Sequence, residues 1–317
     1  METTGKIKLF SDSDLDGISC GILAKFVFGE ERVDTMFCTP KDINQRLMSF
    51  IEKEEYNKYD KVFITDLVIK PETAAKIDSI PGFKFKLFDH HKSNYTNSKY
   101  TWVTVSENFV GRKTCGTELF YNHLLEYYIE VRNDYIEKYV EYVRLWDTWE
   151  WPSAGADGIY AKKLNTLLSM YSNTKYMNSI IIPLENNSTT FISDSDEEIL
   201  KVEENRKNRY IKQKSRNIRV MEVSGHKLGF VFAENYISEL CNYMLKNIEG
   251  VEIAAAINAD AHVVSLRTTE ATGIDVSEFA KTFTPQGGGH PLSAGFVFNT
   301  EYETKFVQDI FQTYSKE

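Results

Sequence analysis

Three short apolar runs, residues 6–10, 61–65 and 84–88, each stop at acidic residues, and that shared ending constrains the fold more than any other feature. The first runs into Ser11-Asp12-Ser13-Asp14-Leu15-Asp16-Gly17, the second into Asp66, and the third into Asp89-His90-His91. Helical candidates near 18–28, 40–52 and 71–77 separate the runs, with Pro71 suited to a first helical turn. Strand and helix in alternation is the pattern of a parallel α/β sheet. Open sheets of that kind bind ligands at the carboxyl ends of their strands, so the acids and imidazoles are predicted to converge there. Together they suffice to hold two divalent ions with open positions for water and phosphate.

At 317 residues, two domains are the natural expectation. From Thr117 the chain reads helical, with Phe120, Leu124, Tyr127, Tyr128 and Val131 on one face. A second helix carries Ile136, Tyr139, Val140, Val143 and Trp146 and ends at Asp147, while residues 151–191 show a mixed pattern. Residues 193–198 combine helix-starting Ser and Asp with early acidic charge, and the charged stretch behind them reads as a solvated linker helix, 193–222. Strand candidates at 227–233, 251–258, 262–268 and 294–298 then alternate with helices near 236–248 and 276–283. The expectation is an α/β fold in which a parallel-sheet domain, 1–192, is joined by that helix to a smaller α/β domain, 223–317.

The formal charge, 37 − 46 = −9, disfavours a long duplex or an anionic membrane as partner, since such partners meet a basic face. A short anionic substrate stays compatible where metals and a few cations neutralise it locally. Cys20, Cys38, Cys115 and Cys241 form no C-x-x-C pair and read as reduced packing residues. The first residues lack the apolar core of a signal peptide and no run reaches membrane-spanning length, so a cytoplasmic protein is expected.

Each motif has a plainer reading. Asp12, Asp14 and Asp16 alone would make a solvated turn, and Asp66 an N-cap; their coincidence at strand ends is what argues for metal. Trp146, Trp149 and Trp151 around Asp147 read most simply as packing residues. Gly116-Thr117-Glu118 starts a helix most economically, although Thr117, Arg112 and Lys113 are candidates to approach phosphate. His123, His226 and His262 lack partners at ligand spacing. The triple glycine of Gly287-Gly288-Gly289-His290 lets backbone approach a ligand closely and exposes amide donors.

In order, Asp12-x-Asp14-x-Asp16-Gly17, Asp66, Asp89-His90-His91, Asp147 and Gly287-Gly288-Gly289-His290 resemble the motifs of the DHH phosphoesterase family with its DHH-associated C-terminal domain. The branch most resembled is the oligoribonucleases of very short RNA (nanoRNases), because one short DHH-associated domain follows with no added nucleic-acid-binding extension. The resemblance implies two divalent cations, most often Mn²⁺. Asp14 and Asp12 would serve one ion, Asp16, His90 and Asp147 the other, with Asp66 bridging. Many members open the first motif with a metal-binding His where this chain has Phe10, and Asp12 is the substitute.

His91 would hydrogen-bond the scissile phosphate. Arg267, with Gly288, Gly289 and His290, would grip the far end of the substrate across an interdomain cleft. The expected activity is hydrolysis of short single-stranded oligonucleotides or dinucleotides to mononucleotides, and a homodimer is compatible with it. The alternatives are a RecJ-like single-strand exonuclease, a 3′-phosphoadenosine phosphatase, a cyclic-dinucleotide phosphodiesterase, or a nucleotide sensor with an inactive metal site.

Overall fold

Period-two alternation in β1 (Ile7–Asp12) sends Ile7 and Leu9 to one face of a sheet and Lys8 and Phe10 to the other, all four buried. The computed structural model that shows this describes residues 5–82, 84–128, 132–299 and 301–314. Strands β2 (Val33–Cys38) and β3 (Lys61–Thr65) flank β1 in parallel, and β4 (Phe85–Asp89) and β5 (Val103–Val105) extend the sheet. The order is β2-β1-β3-β4-β5, parallel throughout. Helices α1 (Leu15–Phe28), α2 (Ile43–Glu52) and α3 (Pro71–Asp78) make the crossovers. Chain direction across the sheet reverses between β1 and β3, so their carboxyl ends open the crevice where such sheets place ligands.

A short antiparallel pair, β6 (Asn108–Phe109) and β7 (Arg112–Lys113), leads into α4 (Gly116–Tyr127), α5 (Asp134–Asp147), α6 (Gly155–Met170) and α7 (Asn173–Glu185). Leu124, Tyr139, Leu164 and Ile180 from these helices share one core with Ile7, Leu9, Phe63 and Phe88 of the sheet. The opposite face packs Phe10, Val62, Ile64 and Leu87 against Leu47 and Phe50 of α2 and Ala74 and Ile77 of α3. Every residue of α1 from Leu15 to Ala24 is buried, so α1 has no polar face. The mixed stretch 151–191 holds α6 and α7, whose buried stripes rest on small residues such as Gly158 and Ala161 or are interrupted by Pro183. Of the predicted α4 face, Val131 lies outside the described residues.

The chain divides into two compact units, Met1–Leu200 and Lys201–Glu317, and the division falls within α8 (Asp194–Ser215). The linker helix expected to reach residue 222 stops at Ser215, and Arg219–Val223 becomes β8, paired antiparallel with β9 (His226–Phe232). Four of the five residues of β8 are exposed, which leaves no alternation to detect. The second sheet continues through β10 (Ile253–Asn258), β11 (Val263–Arg267), β12 (Gly288–His290) and β13 (Ser293–Val297), in the order β12-β13-β11-β10-β9-β8.

Alternation in β10 splits its residues cleanly. Ile253 and Ala255 face α10 (Val276–Lys281), and Ala254 and Ala256 face α9 (Ile237–Asn247). Helix α11 (Glu301–Tyr314) ends the described chain. All four cysteines are buried free thiols. Among the described residues no helix is long and apolar enough to cross a membrane.

Candidate metal centre

Strand ends β1, β3 and β4 and the end of α5 deliver acids and imidazoles to one place. Asp16 follows β1 in the first turn of α1, Asp66 follows β3, His90 and His91 follow β4, and Asp147 closes α5. Asp16, His90 and Asp147 offer ligand atoms within 4.8 Å of one another, and so do Asp66, Asp89, His90 and His91. His90 Nε2 lies 3.4 Å from Asp66 Oδ1, 3.4 Å from Asp147 Oδ2 and 4.0 Å from Asp16 Oδ2. Asp12 and Asp14 belong to neither set, although both stand on the same strand end.

Three of those atoms carry the argument for a cation. Asp66 Oδ1, His90 Nε2 and Asp147 Oδ2 are buried and have no hydrogen-bond partner among the described residues. A buried polar atom without a partner is costly, and here three converge. Their spacing of 3.4 Å matches donors that share one divalent ion at about 2.0–2.2 Å, which stand about 3–3.5 Å apart. The donor set, carboxylates with one imidazole nitrogen, suits a divalent first-row ion.

The electrostatics agree. Burial, then repulsion from Asp16 and Asp14, pushes the Asp147 carboxyl up to about 9, and the same causes hold Asp66 well above the ordinary range. Asp14 is exposed as a residue, yet protein crowds its carboxyl; that loss of water, with Asp16 beside it, raises it to about 6. Burial also raises Asp12, against the Ser13 amide, which donates to its Oδ1 at 2.6 Å. Desolvation lowers His90, keeping it the neutral donor that a metal needs. Without cations these carboxylates cannot all ionise together.

Backbone geometry is spent on the same place. Asp66 adopts φ +54°, the left-handed region, which Asp tolerates better than most residues. At Gly17 a Cβ would lie 2.2 Å from the Asp12 carbonyl oxygen, so only glycine lets α1 start that close to β1. Asp14 caps α1 by accepting from the Gly17 amide at 3.0 Å.

Sequence reasoning missed the supports behind the ligands. Both oxygens of Asp16 accept amides at the start of α4, from Gly116 at 2.6 Å and Thr117 at 2.7 Å, where the helix dipole favours negative charge. A Cβ at Gly116 would meet Asp66 Cβ at 2.8 Å. Thus Gly116 and Thr117 do start a helix, as the plainer reading had it, and they also fix Asp16. Asp89 is fully buried and accepts from Asn94 Nδ2 at 2.6 Å and faces His91 Nδ1 at 2.7 Å. That contact, foremost, raises His91 to about 9 in the metal-free protein. Asn94 carried no sequence signal, since a buried asparagine in a turn looks like any loop asparagine.

Phe10 contributes no ligand. Its ring is buried on the α2 side of the sheet, edge-on to Phe50 at 5.1 Å. Arg112 is engaged by Glu118 at 2.7 Å and Glu141 at 3.2 Å, and Lys113 is exposed. In the second unit, His290 pairs with Ser293 and Ser293 with Arg267, so the three share one row and one face of the sheet. Arg267 is half-buried and donates to Ser238 Oγ at 3.2 Å; Gly288, Gly289 and His290 form an edge strand rather than a free turn. At Gly289, φ +145° and a Cβ position 2.6 Å from the Ser293 carbonyl oxygen require glycine.

A family model for the DHHA1 domain matches residues 226–316. Over 308 residues the sequence is 34% identical to the oligoribonuclease NrnB of Bacillus subtilis (strain 168), covering 96% of this chain and 76% of that protein. Among solved structures it is similar to the pGpG-specific phosphodiesterase PggH of Vibrio cholerae, with TM-score 0.56 and 15% identity over 97% of this chain and 98% of the other. It is also similar to RecJ of Thermus thermophilus in complex with Mn²⁺, with TM-score 0.55 and 11% identity over 98% of this chain and 52% of the other. At those identities the two structures speak for the fold, a parallel-sheet unit followed by a second sheet unit.

Proposed function

Because the chain belongs to the DHH phosphoesterase family, with a DHHA1 domain in its second half, we propose that it is a metal-dependent phosphodiesterase hydrolysing very short oligonucleotides to mononucleotides. The observation that carries this reading is the meeting of Asp66 Oδ1, His90 Nε2 and Asp147 Oδ2, three buried polar atoms without hydrogen-bond partners among the described residues. The substrate class rests on the 34% identity to an oligoribonuclease along most of both chains.

Asp16, His90 and Asp147 would hold one divalent ion and Asp12 and Asp14 the other, with Asp66 in reach as a further carboxylate donor. Mn²⁺ is the ion we assign, since the His90 nitrogen suits it better than Mg²⁺. Bound there, two such ions supply an activated water and charge neutralisation for in-line displacement at phosphorus.

The residues around them hold and orient. Gly116 and Thr117 amides fix the direction of the Asp16 carboxylate. Asp89 aligns His91 through Nδ1, leaving Nε2 as the donor to a phosphate oxygen, and the half-exposed ring has room to meet it. Arg267 offers a planar guanidinium, and Gly288, Gly289 and His290 offer exposed backbone and an imidazole, for the end of the substrate away from the scissile bond.

Chelated protein given back Mn²⁺ tests the reading, with a labelled ribodinucleotide assayed beside 3′-phosphoadenosine 5′-phosphate and a cyclic dinucleotide. Metal-dependent release of mononucleotides from the ribodinucleotide is the expected result. Tight nucleotide binding with no turnover at any metal would instead make the protein a nucleotide sensor.

A further inference from the structure

We infer that Trp149, backed by Trp146 and Trp151, is a stacking platform for one nucleobase of the substrate, a site that lies next to Asp147 in the chain and outside the metal set. The inference rests on the oligonucleotide reading above and deepens it.

Packing was the simplest role for these rings, and Trp149 does not fit it. It is 64% exposed, among the most exposed large apolar side chains described, although a tryptophan normally buries most of its surface. Its backbone has φ +62°, the left-handed region, which is an outlier for a bulky residue. Strain of that kind persists where the surroundings over-determine it, and it clusters at functional sites. Glycine or asparagine is the usual residue at such a helix stop, and this chain places an exposed indole there instead.

The surroundings do over-determine it. The Trp149 amide donates to the Trp146 carbonyl at 3.2 Å, and the Glu150 amide to the Leu145 carbonyl at 3.0 Å. Arg144, almost fully buried, clamps Glu150 at 2.7 Å. At Gly158 a Cβ would sit 1.8 Å from the Trp151 carbonyl oxygen, so α6 presses directly on the loop. Rings behind Trp149 are ordered by each other: Trp146 and Trp151 stack with centroids 5.5 Å apart, and Trp149 stands 6.2 Å and 5.9 Å from them. Lys162 lies over the Trp151 ring at 5.2 Å. The Trp151 indole nitrogen is buried with no hydrogen-bond partner among the described residues.

Position gives the platform its purpose. Two peptide units separate Trp149 from Asp147, so their Cα atoms are at most about 7.6 Å apart. A phosphodiester held at the metal centre would therefore lie about one nucleotide's length from the backbone that carries the exposed indole. Stacking of a base on an aromatic ring tolerates any base, because every base has a π-face, and this suits an enzyme that clears short fragments of mixed sequence. The chain's net charge of −9 makes such an apolar hold useful, since acidic side chains outnumber basic ones by 46 to 37.

Ribodinucleotides, intact or with one base replaced by an abasic sugar at either position, separate the outcomes. Trp149→Ala should lower kcat/KM on the intact dinucleotide on the order of ten-fold, as expected when a base-stacking aromatic is truncated. It should cost nothing further on the analogue lacking the stacked base, and Trp149→Phe should keep most of the rate. Trp149→Gly should show the same loss with no fall in melting temperature, since it relieves the backbone. Additive losses from mutation and base removal, or full activity in Trp149→Ala, would overturn the platform.

Quenching of tryptophan fluorescence by adenosine 5′-monophosphate in chelated protein gives a readout without turnover. It should be present in the wild type and lost in Trp149→Phe, and equal quenching in both would also overturn the platform. If the wild type cleaved none of the dinucleotides, the oligonucleotide reading would fall, while the fluorescence arm would still judge the base site.

Discussion

Asp89 and His91 form a closed pair, with Asp89 Oδ1 2.7 Å from His91 Nδ1 and the second Asp89 oxygen held by Asn94 at 2.6 Å. The carboxylate never reaches solvent, whereas the imidazole is about half exposed. One member of the pair therefore faces inward and the other outward, where the proposed phosphate contact would be made.

Asp89→Asn should lower the rate by roughly 10- to 100-fold, the range found when the support behind a site residue is removed. It should also bring the His91 titration down from about 9 in the metal-free protein. His91→Ala should lower kcat while metal content stays whole, whereas His90→Ala should weaken binding of one ion. Metal titration with single-turnover kinetics checks the split, and identical behaviour of the two histidine variants would contradict it.

Asp66→Asn should abolish turnover yet raise the melting temperature of the chelated protein. The native carboxyl is buried among like charges that hold its pKa far up, so a neutral amide relieves repulsion, and Asn accepts φ +54° as readily as Asp. Scanning calorimetry with and without Mn²⁺ is the check. Metal should stabilise the wild type strongly and the variant little.

Stability should fall below neutral pH partly through His123, far from the metal set in sequence and packed among Phe63, Phe88 and Tyr127. Burial, helped by Lys86 and Lys61, lowers its pKa to about 4, and exposed Glu126, 3.5 Å from Nδ1, is too well solvated to reverse that. Between about pH 4 and 6.5 the unfolded chain binds a proton there that the folded chain refuses, so stability rises with pH across that window, by up to about 3 kcal/mol. In His123→Phe the difference in urea midpoint between pH 4.5 and pH 7 should shrink. An unchanged difference would show that His123 is not the group involved.

Much of this was legible in the sequence because parallel strands end where their ligands must sit. The runs before Asp12, Asp66 and Asp89 put buried apolar residues on both faces, broken only by Lys8 and Lys86, which marks buried strands, and their acidic ends stood out against them. Strand β2 escaped notice because Asp34 and Thr35 break its apolar pattern at an edge, and β8 because its residues are mostly exposed. The charged stretch after residue 193 does form a helix, but nothing in its composition marks the stop at Ser215. Gly116, Thr117 and Asn94 act through contacts 5 to 101 positions away in sequence, which no local pattern reveals.

Arg267→Ala and His290→Ala should impair cleavage of dinucleotides with metal content unchanged, since both stand in the second unit and outside the ligand set. Loss should appear in both turnover and apparent affinity, because holding the far end keeps the phosphate in line. Bis-p-nitrophenyl phosphate, which has no far nucleotide, should be hydrolysed nearly as before. Equal loss on both substrates would mean that the second unit supports the metal site itself.

A length series tests the central claim most directly: labelled RNAs of two to about twenty-four residues, each assayed on chelated protein and on the same protein reloaded with Mn²⁺. Turnover is expected only after reloading, fastest on the shortest RNAs, falling steeply beyond a few residues, with mononucleotides as products. Equal or faster degradation of the long strands would contradict the claim and make the protein a single-strand exonuclease.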